Sequence, residues 1–86
     1  MIRVKQVRQD EEHWTVQLQV EDGVYRLPAY PVRVENVPRP PENLSADEVA
    51  DLVGRYVLER VTTHMREGSL PPRGTRLDGR GLRWER

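Results

Sequence analysis

The chain has 86 residues, no cysteine and a formal net charge of zero. Such a length allows a single domain over residues 1–86, with a core that removes only about 60–65 % of the unfolded chain's surface from water. The missing cysteines exclude disulfides, thiolate metal sites and a cysteine nucleophile, and zero net charge excludes steering of the whole molecule toward polyanions.

The start, MIRVKQVRQDEEHW, breaks its apolar pattern with charges, and the uncharged runs TVQLQV and LPAYPV are far too short to span a bilayer. The expectation is a cytoplasmic protein without membrane contact. Arginine supplies thirteen of the fourteen cations. Five of these, Arg73, Arg76, Arg80, Arg83 and Arg86, fall in the last fourteen residues against only Asp78 and Glu85. Codon bias, ion-pair networks and phosphate recognition all favour arginine over lysine.

In chain order, IRVKQV reads as a first strand with Ile2 and Val4 inward, and Val7 falls out of step unless a β-bulge sits near Gln6. Asp10, Glu11 and Glu12 make a solvated turn. In HWTVQLQVEDGVYRLP, Trp14, Val16, Leu18 and Val20 alternate with Thr15, Gln17 and Gln19, the period of a strand wet on one side. Asp22-Gly23 then suits a two-residue type I′ hairpin, in which Val20 faces Tyr25 and Leu18 faces Leu27. Pro28 and Pro31 deny two ladder donors and put the following VRVEN at a sheet edge or after a bend. PRPPEN is a stiff linker, too short to divide domains.

A long helix follows. Ser45 can cap the amide of Glu48 while Glu48 reaches back to the amide of Ser45, and Leu44 can staple onto Val49. Gly68, followed by Pro71 and Pro72, is placed to stop it, which predicts a helix from about Ala46 to Glu67, about 33 Å long. On the helical wheel the apolar residues, with Ala50 and Gly54 among them, fill an arc of roughly 200°, about twice what packing on one sheet requires. Either the tail folds back with Leu70, Leu77, Leu82 and Trp84, or a second copy packs there. Gly54, with Ala50 one turn earlier, leaves a shallow strip where another backbone could come close. The candidate self-association residues are therefore Ala50, Gly54, Leu58, Val61 and Met65.

Catalytic chemistry is poorly supplied. Ser45 is committed to a cap, Lys5 is the only lysine, and no nucleophile-elbow, zincin or P-loop motif occurs. His64 lies on the apolar face with Glu67 one turn on, the carboxylate that a ligand or general base would want, but the reading preferred is a core histidine with one nitrogen bonded to a backbone carbonyl. Glu11, Glu12 and His13 are consecutive in a turn and do not converge on one ion. GTRLDGRG has three glycines, but a phosphate cradle needs a helix N-terminus after it, and here the helix has ended. No cofactor or metal is expected.

For nucleic acid there are two candidate surfaces: the tail arginines Arg73, Arg76, Arg80, Arg83 and Arg86, and an outer sheet face with Arg3, Lys5, Arg26 and Arg33 but no aromatic residue to stack bases. GLRWER alternates Leu82 and Trp84 with Arg83 and Glu85, the pattern of a short added strand. The Arg-rich segment 68–86 is thus expected to dock on the domain.

The order of strands, helix and proline-marked turn, with SADEV opening the helix and EGSLPP closing it, resembles small HicB-type antitoxin domains in those segments. Such domains carry a Pro-Gly turn after the second strand, where this chain has VEDGVY. The resemblance implies an antitoxin-like regulator as one alternative and brings no residue roles with it.

These readings add up to an α+β fold of two layers, a three- or four-stranded antiparallel sheet covered on one face by one long helix, in the order β-β-β-α with a possible C-terminal strand. The function expected is a non-catalytic interaction module, a self-associating regulator or adaptor that forms a homodimer and can take a protein partner. A nucleic-acid-binding protein is the alternative, and an enzyme is not expected.

Overall fold

A computed structural model describes residues 1–23, 25–66 and 76–85. Three antiparallel strands come first: β1 (Ile2–Gln9), β2 (His13–Asp22) and β3 (Tyr25–Glu35). Then come helix α1 (Ala46–Arg66), a short strand β4 (Arg76–Asp78) and a single 3-10 turn (Gly79–Gly81). The sheet order is β1-β2-β3-β4, and α1 covers one face, so the fold is α+β in two layers.

The sheet is antiparallel except at its far edge, where β4 runs parallel to β3 through Arg33↔Arg76, Val34↔Leu77 and Glu35↔Asp78. A helix between two strands returns the chain to the end from which it left, which makes the next neighbour parallel. This strand is RLD and not GLRWER. Leu82 is buried and Trp84 half-buried, but both stand after the 3-10 turn and outside any ladder.

Two bulges decide which side chains enter the core. In β1 the register shifts between Val4 and Gln6, near Gln6 as the spacing predicts, so Ile2, Val4 and Val7 all turn toward the helix. A second shift lies between Leu18 and Val20, which pair with Tyr30 and Leu27. The extra residue on β3 falls at Pro28-Ala29 and reverses the inward parity. Leu27 packs against the core before it, and Tyr30, Val32 and Val34 are buried after it.

The hairpin differs from expectation by one residue. The ladder runs on to Asp22↔Tyr25, so Val20 faces Leu27 instead of Tyr25, and Leu18 faces Tyr30 instead of Leu27. Gly23 sits in the loop at φ +58°, left-handed backbone that glycine adopts without a Cβ penalty. The VRV that follows Pro31 is not beyond the sheet: residues 33–35 are flanked by β2 and β4, and the prolines lie in the stretch of β3 that β4 does not reach.

The helix begins where its cap dictates. Ser45 N donates to Glu48 Oε1 at 3.1 Å and Glu48 N to Ser45 Oγ at 3.2 Å, a closed capping box. The helix is described through Arg66, and its expected end at Glu67 and Gly68 lies outside the described residues. The core joins Trp14, Val16, Leu18 and Val20 of β2 and the β3 residues to Val49, Val53, Val57 and Val61 of α1, closed by Leu77 and Leu82.

Candidate functional site

The two flanks of α1 are finished differently, and this sorts the candidate residues. Along one flank the C-terminal segment folds back. Leu77 is 5 % and Leu82 2 % exposed, Tyr56 OH donates to Asp78 O at 2.6 Å, and Trp84 Nε1 donates to Pro38 O at 3.2 Å. Asp78 caps the turn by accepting from Arg80 N at 3.0 Å, and Leu82 N closes it onto Gly79 O. A Cβ on Gly79 would lie 2.7 Å from Val37 Cγ2 and 2.9 Å from Glu35 O, so the backbone comes as close as glycine alone permits. The tail side of the wide apolar arc is therefore covered by the chain itself. Leu70, also expected there, lies outside the described residues.

The other flank runs beside β1, an edge strand. Here the five self-association candidates separate. Val61 is fully buried in the core. Gly54 is buried too, because β1 closes over it, with Val7 Cγ2 3.3 Å and Val4 Cγ1 3.4 Å from where its Cβ would be. The strip read as room for another molecule's backbone is filled at Gly54 by this chain's own first strand. Ala50, Leu58 and Met65 remain half-buried. Ala50 lines an open groove between strand and helix, floored by Val4, Val7 and Gly54 and rimmed by Lys5, Asp47, Asp51 and Arg55.

Of the tail arginines that are described, two are paired with carboxylates. Arg76 Nη1 lies 3.3 Å from Glu35 Oε1, the oxygen that Arg33 Nε also approaches at 3.0 Å, so one carboxylate bridges two cations set opposite each other in the parallel ladder. Arg80 pairs with Asp78 at 3.3 Å. Arg83 is exposed, and Arg73 and Arg86 lie outside the described residues.

On the outer sheet face Arg3 Nε donates to Gln19 Oε1 at 2.8 Å, Lys5 Nζ to Pro28 O at 3.3 Å, and Arg26 stands opposite Glu21. Trp14 and Tyr30 are buried on the inner face. Arg8, which the strand pattern alone left out of this face, stands on it opposite Thr15, because the bulge shifts the parity of β1.

Residues with chemical potential are occupied structurally. Ser45 is in the capping box, and His64 is half-buried in the last turn of α1 with Glu67 outside the described residues. Asp10 gathers His13 Nε2 at 3.2 Å, Thr15 Oγ1 at 3.3 Å and Arg8 Nε at 3.6 Å, which holds the β1–β2 turn. Among the described residues no three acidic or histidine side chains form a metal-holding group, and no helix is long and apolar enough to cross a membrane.

Gly79 and Tyr56 were missed from sequence. The tandem glycines of DGRG look like turn residues, and nothing local says that a strand and a helix press on them. Compared with protein-family models, curated proteins and solved structures, the chain matches none.

Proposed function

We propose that this protein is a small non-catalytic interaction module, a regulator or adaptor that works in the cytoplasm and self-associates through the β1-side flank of α1. The observation that carries the reading is the contrast between the flanks. After the tail has sealed one side, Leu58 and Met65 on the other pack against the core yet remain half-buried. A second copy related by a two-fold axis would place the same residues against each other. Sedimentation at micromolar concentration should give twice the monomer mass. Leu58→Glu with Met65→Glu should return it to the monomer mass while leaving the circular dichroism spectrum unchanged. A wild-type chain that sediments as a monomer overturns the self-association.

The reading as a nucleic-acid-binding protein draws support from Arg83 and from the cations of the outer sheet face. It is weakened by the pairing of Arg33, Arg76 and Arg80 with carboxylates. A salt-dependent mobility shift with RNA or DNA would favour it over the first reading.

A further inference from the structure

Among the described residues each side of the sheet ends in an open edge, and the two are not alike. Beyond β4, the 25–32 stretch of β3 carries Pro28 and Pro31, which have no N–H to offer and keep another strand from pairing there. The edge of β1 has no proline. Half of its backbone N–H and C=O groups point away from β2, and no described strand pairs with them. Directly beside this edge lies the groove floored by Val4, Val7, Ala50 and Gly54. Lys5, Asp47, Asp51 and Arg55 rim it, and an edge strand next to a helix with such a groove between them is an arrangement in which an extended peptide can add to a sheet, its backbone pairing with the strand and alternate side chains entering the groove.

Charge selects the occupant. Ile2–Gln9 contains Arg3, Lys5 and Arg8 and no acidic residue. These three stand on the polar side, where Arg3 and Lys5 spend hydrogen bonds on the neutral oxygens of Gln19 and Pro28 and the exposed Arg8 lies 3.6 Å from Asp10. A second copy of β1 added antiparallel would bring three more cations to the same side, and like charges across a strand pair are unfavourable. A strand with acidic residues at those positions meets the opposite sign.

We propose that the β1 edge and its groove bind an extended segment of a partner protein in which apolar and acidic residues alternate, by β-strand addition centred on Lys5–Val7. The apolar side chains enter the groove toward Ala50, and the acidic ones face Arg3, Lys5 and Arg8. The inference rests on the reading of the protein as an interaction module, but not on its self-association, which uses Leu58 and Met65.

The test is an NMR titration of the full isotope-labelled chain with a short synthetic peptide alternating valine and glutamate. Expected are amide shifts confined to Ile2–Gln9 and to the groove side of α1, with slowed hydrogen exchange along the outer edge of β1. Replacing glutamate by lysine in the peptide should weaken binding about tenfold, the sum of several cross-strand charge pairs. A peptide N-methylated on its pairing edge should not bind. Combined Arg3→Glu, Lys5→Glu and Arg8→Glu should reverse the preference to the lysine peptide. Absence of binding, equal binding of the N-methylated peptide, or shifts at Leu58 and Met65 instead of β1 would overturn the proposal. A dimer in sedimentation that ignores the peptide defeats this inference alone, and a monomer that binds the peptide at β1 defeats only the self-association.

Discussion

The tail-side flank of α1 and its β1-side flank bury similar apolar residues, yet they are built on opposite terms. On the tail side, backbone presses on backbone. Gly79 sits under Val37 and the carbonyl of Glu35, and side-chain hydrogen bonds from Tyr56 and Trp84 fix the approach. On the β1 side, valine methyl groups lie 3.3–3.4 Å from where a Cβ on Gly54 of the helix would be, and the strand itself is an edge with a bulge. The first flank is held by atoms that cannot give way. The second ends in flexible side chains and a groove. The difference teaches that a small domain can spend its close packing on one side of a long helix and leave the other side less tightly packed.

The strongest way to break the comparison is to remove the rigid flank. Cutting the chain after Gly68 deletes Leu77, Leu82 and Trp84 and exposes the apolar surface beneath them. Two leucines and a partly buried tryptophan are worth roughly 4–8 kcal/mol. A domain of this size has in total about 4–13 kcal/mol. The truncated chain should therefore lose its cooperative melting transition, or melt far below the full chain. A truncation that melts with the full-length protein would show that the tail is an appendage.

A single methyl group sharpens the contrast. Gly79→Ala places a Cβ 2.9 Å from a backbone oxygen that cannot rotate away, and should cost about 1–3 kcal/mol in chemical denaturation. Gly54→Ala, on the adaptable flank, gains about 1 kcal/mol of helix propensity and asks the side chains of Val4 and Val7 to yield a few tenths of an ångström. It should fall between neutral and about 1 kcal/mol stabilising. If both alanines destabilised equally, the two flanks would be equally rigid, and the argument for an open β1 side would fall with them.

Much of this was legible one segment at a time. The alternation of Trp14, Val16, Leu18 and Val20 named the inner face of β2, and all four are buried. The misplaced Val7 named the bulge in β1, and the spacing of Ser45 and Glu48 named the start of the helix. Each signal is complete within a few residues, because a strand face, a bulge and a cap are made by neighbours along the chain.

What the tertiary structure decided lies between segments. The hairpin register and the second bulge at Pro28-Ala29 were settled together, since only that pairing brings Tyr30, Val32 and Val34 into the core beside Leu27. Whether Gly54 would be a contact strip or a packing seat depended on which strand crossed it. The direction of β4, and the bridging of Arg33 and Arg76 by Glu35, depended on where α1 returned the chain. Local pattern tells a side chain whether to seek water or the core. It does not tell which distant segment will meet it, because that choice is made by the shared burial of all the elements at once.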